Sequence, residues 1–564
     1  MYSSTHLYTF FILAIFLFTA CRNRPQLLQA EKSAIYEHAA LATPHPICTQ
    51  VGKQILAEGG NAIDAAVAVQ FAMAVVYPRA GNLGGGGFMV YRSNGGAVDA
   101  LDFREKAPAA ANRDMYLDEN GDVISNLSTY GHLAAGVPGT VAGIDAMYKK
   151  YGSLPWKKLV QPAIDLARNG FPITQTEIDR QLSKREEIAR INEATPFLND
   201  YQEGDLFIQP ELAATLERIR DQGKGGFYTG ETADLIEKEM QSGGGLITKE
   251  DLKKYEVSWR KPIYCTYRDY EVYAMSPPSS GGIALCQMLS IMEPYPLSEM
   301  GFQSTGSGHI TIEAMRRAYE DRAEYLGDSD FFPVPIDSLL DSTYLAQRME
   351  DFEVSTATRS QPSEDALIKE SFETTHISIV DSMGNALAIT TTLNGNYGSK
   401  VIVDGAGFFL NNEMDDFSAK PGVPNMFGLV GAEANAIAPG KRMLSSMTPT
   451  IITKDDGLFL VLGAPGGSTI ITAVLQVFTN VADYNMPLDS AIRAPRFHHQ
   501  WLPDSVLVEP MAFDSITRWR LNNIGHGLKS VGRMAVIKAV QRLPNGQLHA
   551  AGDKRNADDD VGGF

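Results

Sequence analysis

The chain has 564 residues, enough to bury a large core, and its 44% hydrophobic and 21% charged content is ordinary for a globular protein. A formal net charge of −18 leaves no basic stripe to neutralise phosphates, which argues against a nucleic-acid partner. The 4 cysteines show no CxxC or zinc-ligand spacing, so they imply neither a disulfide framework nor a metal centre.

Residues 1–20 read as a signal peptide, because the apolar run from Leu7 to Ala20 is too short to span a bilayer. Phe18-Thr19-Ala20-Cys21 places small residues before a cysteine. In a bacterial lipobox that cysteine, here Cys21, becomes the lipidated first residue of the mature chain; a plain cleaved signal is the other reading. Residues 21–35 then form a tether, and the protein is expected on the periplasmic side of a bacterial envelope, anchored through Cys21. Cys48, Cys265 and Cys286 read as single core residues, although an exported compartment permits one pair.

A helical pattern from Thr49 stops at Gly59-Gly60, and Asn61 caps a second, alanine-rich helix that is apolar on nearly all sides. Asp64 and Gln70 within it argue for a helix buried between layers rather than a membrane span. Gly81-Asn82-Leu83 and four glycines, Gly84 to Gly87, lead into a strand from Phe88 to Arg92. No Lys-Ser/Thr follows, so this is not a phosphate-binding loop. A second strand, Ala97 to Phe103, ends at Arg104-Glu105, where Arg104 suits either a substrate carboxylate or a surface ion pair. From Gly136 to Glu350 the pattern is largely helical, and Asp351 to Glu364, rich in Ser, Thr and acids, reads as a mobile segment.

Phe372 to Asn394 predicts a hairpin. Period-2 alternation marks strands from Thr375 to Val380 and from Ala386 to Leu393. A three-residue loop with Gly384 in the left-handed position pairs Asp381 with Asn385, so that partner numbers sum to about 766. Thr374 then faces Thr392, with Asn394 beside them on the same face. Two hydroxyls and an amide at a strand start suit an N-terminal nucleophile, but Thr-Thr there is equally a matter of β-propensity.

Gly407 to Leu410 reads as a strand that runs into Asn411-Asn412-Glu413-Met414-Asp415-Asp416, whose acids could cap a helix or hold an ammonium group. The loop AKPGVPNMFGLVG, uncharged after Lys420, has the character of a lid. Ser445-Ser446 precede a strand pair, Pro449 to Thr453 and Leu458 to Gly463. Gly466 and Gly467 then open a helix, as an oxyanion site or merely a tight turn. His498 and His499 point to opposite faces of a strand and cannot chelate together. A hairpin at Pro544-Asn545-Gly546 precedes an acidic run, Asp558 to Asp560, expected to be solvated.

Taken in order, GNLGGGGFM, LDFRE, PPSSGG, TTHISIVD, TLN, NNEMDDFSAKPG, LSSMTPT, GAPGGS and APRFHHQWLP resemble the γ-glutamyltransferase family, over roughly Ser33 to the C-terminus. The resemblance implies an α+β N-terminal-nucleophile hydrolase fold, a four-layer αββα sandwich. The precursor would cut itself at Glu373-Thr374 into a large subunit, residues 36–373, and a small one, residues 374–564, which stay associated as a heterodimer. Thr374 would be the nucleophile, assisted by Thr392, with Gly466 and Gly467 as the oxyanion hole. Arg104, Ser445 and Ser446 would hold the substrate α-carboxylate, while Asn394, Glu413 and Asp416 hold its α-amino group. No cofactor or metal is implied. Substrates would be glutathione and related γ-glutamyl compounds, with water, amino acids or peptides as acceptors. Phe427 departs from the Tyr that bacterial relatives often carry in the lid. The alternatives are an acylase or poly-γ-glutamate hydrolase of the same fold, or a non-catalytic peptide-binding lipoprotein.

Overall fold

Alternation along the strand Thr374–Val380 sends Ile377 and Ile379 to one side and Thr374, His376, Ser378 and Val380 to the other, and this division runs through the whole architecture. The computed structural model describes residues 27–361 and 374–564; the stretch expected to be a signal peptide, Cys21 and Glu373 lie outside them.

Two seven-stranded sheets, antiparallel throughout, stack face to face. The first runs in the order Asp560–Gly563, Ala40–Thr43, Thr374–Val380, Ala386–Thr392, Gly86–Arg92, Val98–Asp102, Ser258–Arg260. The second runs Ser33–Tyr36, Leu548–Gly552, Lys538–Arg542, Gly457–Gly463, Thr450–Lys454, Tyr270–Ala274, Ile263–Tyr267. Between them lies a thin core of small residues, among them Ala40, Ala388, Val461 and Ala550. Larger side chains fill the outer faces. Ile377, Leu387 and Met89 pack on helices that include Ala62–Val76, and Ile452, Leu460 and Leu462 pack on Gly281–Met292, Thr305–Tyr325 and Ile470–Ala482. The result is the four-layer αββα order.

Ala62–Val76 is buried along its entire length, as its uniform apolarity predicts, and Asn61 and Asp64 form a reciprocal cap at its start. The hairpin also follows its predicted register: Thr374 pairs with Thr392 and Val380 with Ala386, and Gly384 has φ 86°.

Several expectations need correction. Cys265 and Cys286 form a disulfide, with Cα atoms 5.9 Å apart, that ties a strand to the helix after it; Cys48 alone is a single buried thiol. Their spacing conceals the pairing because the hairpin Ile263–Ala274 brings the chain back to its start before the helix begins. That hairpin and Ser258–Arg260 are strands within the stretch read as largely helical. Gly407 to Leu410 makes only isolated bridges, Ile402 with Phe409 and Gly84 with Leu410. Ser33–Tyr36, inside the expected tether, is already an edge strand. Asp351 to Gln361 is mostly exposed but tied at points, Asp351 to Arg317 at 2.6 Å and Ser360 to Arg316 at 2.5 Å; the rest of that segment lies outside the described residues. The acidic run is buried, not solvated: Asp559 is 0% exposed and pairs with Lys538 at 3.0 Å, and Asp560 begins a strand of the first sheet.

Candidate active site

The end of the inter-sheet slot opens into a small polar cavity lined by nine of the residues singled out from sequence: Thr374, Thr392, Asn394, Arg104, Glu413, Asp416, Ser445, Ser446 and Gly467. Its volume is about 20 Å³, room for about one water molecule. Phe427 and Leu429 form part of its roof.

The Thr374 hydroxyl donates to Thr392 Oγ1 at 3.3 Å, and Thr392 Oγ1 also accepts the Asn394 N–H at 2.8 Å. Asn394 reaches the cavity through a turn rather than by strand alternation: the strand ends at Thr392, Asn394 has φ 72°, and its amide donates to the Asn412 carbonyl at 3.1 Å. Asparagine tolerates this left-handed backbone better than most residues.

Arg104 is fully buried and meets three carboxylates, Glu413 at 2.7 Å, Asp416 at 2.5 Å and Glu105 at 3.4 Å. The cation and the acid pair, expected at separate places, therefore form one cluster. Burial pushes all three acids above the usual carboxylate range, against the pull of Arg104: Glu105 to about 7, Glu413 well above its ordinary value, and Asp416 in the same direction. One guanidinium is shared among three buried carboxylates.

Ser445 and Ser446, also lining the cavity, come from the chain just before the strand Thr450–Lys454. The Ser446 hydroxyl accepts from Arg322 at 3.3 Å, and Ser445 Oγ accepts the Met447 N–H at 3.2 Å. Gly466 (φ 144°) and Gly467 (φ 53°) make the turn from strand to helix. A Cβ on Gly467 would lie 2.9 Å from the Phe427 ring, and one on Gly466 would lie 2.7 Å from the Ala535 backbone. Among the described residues neither glycine N–H donates a hydrogen bond. Gly466 stands behind Gly467 rather than lining the cavity.

The lid loop is fastened through the acids: Asp415 accepts the Met426 N–H at 3.0 Å, and Asp416 accepts from Asn425 at 3.3 Å. Phe427 has no hydroxyl to bond, and its ring instead covers Gly467. On the loop's far side is an open groove of about 590 Å³, bordered by Val423, Val430 and Trp501.

Neither histidine cluster suits a cation. Both ring nitrogens of His498 and of His499 are engaged by protein groups. The ligand atoms of His309, Glu313 and His526 lie within 4.8 Å of one another, but His309 and His526 bond each other at 2.7 Å and Glu313 is held by Arg316 and Arg317. Four cavity residues escape sequence reasoning: Arg322, Leu429, Met447 and Ile470. Arg322 lies in a stretch, RRAYEDRAEY, within the region read as largely helical, and no local signal separates it from its charged neighbours.

Two stacked antiparallel sheets between helical layers, with a threonine at a strand start facing a polar cavity, define an N-terminal-nucleophile hydrolase. The family model described as gamma-glutamyltranspeptidase matches residues 48–563. The glutathione hydrolase proenzyme of Escherichia coli (strain K12) is 46% identical over 531 residues, covering 93% of this chain and 91% of its own. A counterpart from Pseudomonas aeruginosa is 46% identical over 533 residues, covering 93% and 94%. Among solved structures, Bacillus halodurans cephalosporin acylase aligns with a TM-score of 0.83 at 26% identity, covering 96% of this chain and 98% of its own. A chain of Helicobacter pylori γ-glutamyltranspeptidase aligns with a TM-score of 0.55 at 47% identity, covering 59% and 95%. The chain belongs to the γ-glutamyltranspeptidase family.

Proposed function

We propose that the chain is a self-cleaving γ-glutamyltransferase and glutathione hydrolase that works through a γ-glutamyl ester on Thr374. The observation that carries this reading is one cavity holding the Thr374–Thr392 hydroxyl pair, two arginines, two serines and two acids. That set matches a zwitterionic γ-glutamyl group with its carbonyl at the nucleophile.

In maturation, the Thr374 Oγ attacks the Glu373 carbonyl carbon, the peptide C–N bond breaks, and the acyl group moves to oxygen. Water hydrolyses the ester, leaving residues 374–564 with a free α-amino group. That amine then takes the Thr374 hydroxyl proton as the oxygen attacks the substrate γ-carbonyl. The Gly466 and Gly467 N–H groups receive the oxyanion. The proton passes to the departing amine, and water or the amine of an amino acid or peptide cleaves the new ester. Arg104 and the serine pair orient the α-carboxylate; Asn394, Glu413 and Asp416 orient the α-ammonium. The cavity is too small for this substrate, so Phe427 and the loop around it must swing away for entry.

Export and a lipid anchor at Cys21 belong to the same proposal, supported by the signal-like N-terminus and by a disulfide suited to an oxidising compartment. Partition of the full-length protein into detergent, abolished by Cys21→Ser, is the expected result; recovery in the aqueous phase would contradict it.

Turnover of a γ-glutamyl anilide against the corresponding glutaryl anilide tests the chemistry. The account expects strong preference for the γ-glutamyl compound, because a glutaryl group lacks the ammonium that Glu413 and Asp416 would bind. A preference for glutaryl would favour an acylase, in line with the likeness to the cephalosporin enzyme.

A further inference from the structure

Among the described residues, seven arginines are at most 5% exposed. Six of them, Arg79, Arg104, Arg316, Arg317, Arg442 and Arg496, have a carboxylate within ion-pair distance. The seventh is Arg322, and among the described residues its guanidinium meets only hydroxyls: Ser280 Oγ at 3.1 Å and Ser446 Oγ at 3.3 Å. A buried guanidinium without a counter-ion is costly, and burial pulls its pKa below the usual arginine range. Arg322 also lines the cavity. Asp416, the carboxylate that acts on it through space, is already bound to Arg104.

We propose that Arg322 is a specificity determinant of the site, a second cation whose missing counter-charge is the α-carboxylate of the substrate, held jointly with Ser446. This rests on the γ-glutamyl reading above and deepens it. Arg104 is surrounded by more negative charge than it can balance, so on its own it is a poor attractor for a further carboxylate. Arg322, 5% exposed and facing the same cavity, supplies the unbalanced positive charge.

The arrangement also explains the PPSSGG stretch. Ser280 donates to the Ser445 carbonyl twice, through its N–H at 2.8 Å and its hydroxyl at 2.7 Å, and Ser279 Oγ donates to the Met447 carbonyl at 2.7 Å. Gly281 permits this approach, since a Cβ there would stand 2.2 Å from Thr448 Oγ1. The turn thus fixes the serine pair from behind while its own Ser280 hydroxyl accepts from Arg322.

Inhibition of γ-glutamyl-anilide turnover by L-glutamate and by its α-amide, isoglutamine, tests the assignment, because the two differ in the α-carboxylate charge alone. In Arg322→Gln the preference for glutamate should fall roughly ten- to a hundredfold, the loss of one or two charge-assisted hydrogen bonds, with Arg322→Lys in between. An unchanged preference, or equal weakening of both inhibitors, overturns it. If Arg322→Gln fails to mature on a denaturing gel, Arg322→Lys decides alone by the same two outcomes. A wild type that is cut but does not turn over the γ-glutamyl anilide would sink the functional reading itself, a result distinct from either.

Discussion

Thr392→Val keeps the β-branched shape and strand propensity of residue 392 and removes only its hydroxyl. Two hydrogen bonds end on that oxygen, one from Thr374 at 3.3 Å and one from the Asn394 N–H at 2.8 Å. The second leaves a buried donor unpaired, which costs about 1–3 kcal/mol of stability. The first is long, so its loss alone accounts for about 0.5–1.5 kcal/mol, or roughly a two- to tenfold effect. Misplacement of Asn394, whose turn the Thr392 hydroxyl holds, adds to it. Self-cleavage and γ-glutamyl-anilide turnover should therefore both slow by about ten- to a hundredfold, and Thr392→Ser should restore most of each rate. Densitometry of the uncut band over time reads the first rate and absorbance the second. Wild-type rates in Thr392→Val would refute the argument that this hydroxyl steers the nucleophile.

Replacing both Cys265 and Cys286 with Ser opens a loop spanning 21 positions, and the uncut Thr374→Ala background should lose about 3 kcal/mol in denaturant melts, with no loss if the disulfide is absent in solution. Glu105, raised to about 7, keeps its proton when folded over a range in which the unfolded chain has lost it, so it removes stability as pH climbs from about 4.3 to 7. In the same background Glu105→Gln should flatten that decline by an amount on the order of 3 kcal/mol between pH 5 and 8; a parallel pH curve would show the group is not perturbed. A Cβ on Gly463 would stand 2.4 Å from the His376 ring between the two sheets, so Gly463→Ala should lower soluble yield and stability by about 1–3 kcal/mol, and a neutral result would mean the sheets separate more easily than their packing suggests.

What was legible in sequence was what is local. The turn residue Gly384 and the period-2 pattern suffice for the register that sets Thr374 against Thr392, because hairpin pairing depends on the intervening loop alone. Uniform apolarity likewise reveals Ala62–Val76 as an interior helix. The remainder depends on contacts between distant segments. Nothing near Asp559 announces Lys538 as its partner, and an acidic run without a visible cation reads as solvated. Arg104 and the Glu413–Asp416 pair look like separate binding elements because roughly 300 residues intervene, yet they fold into one ion cluster. Arg322 was missed for the same reason: its burial is decided by the turn at Ser280 and the segment at Ser446, not by its neighbours in sequence.

Intact mass and N-terminal sequencing of the purified protein, beside Thr374→Ala, bear most directly on the central claim. The wild type should give two chains, the smaller beginning at Thr374, with γ-glutamyl transfer activity appearing as the uncut chain disappears, and Thr374→Ala should remain one inactive chain. A fully active uncut wild type, or a smaller chain beginning at any other residue, would contradict the account.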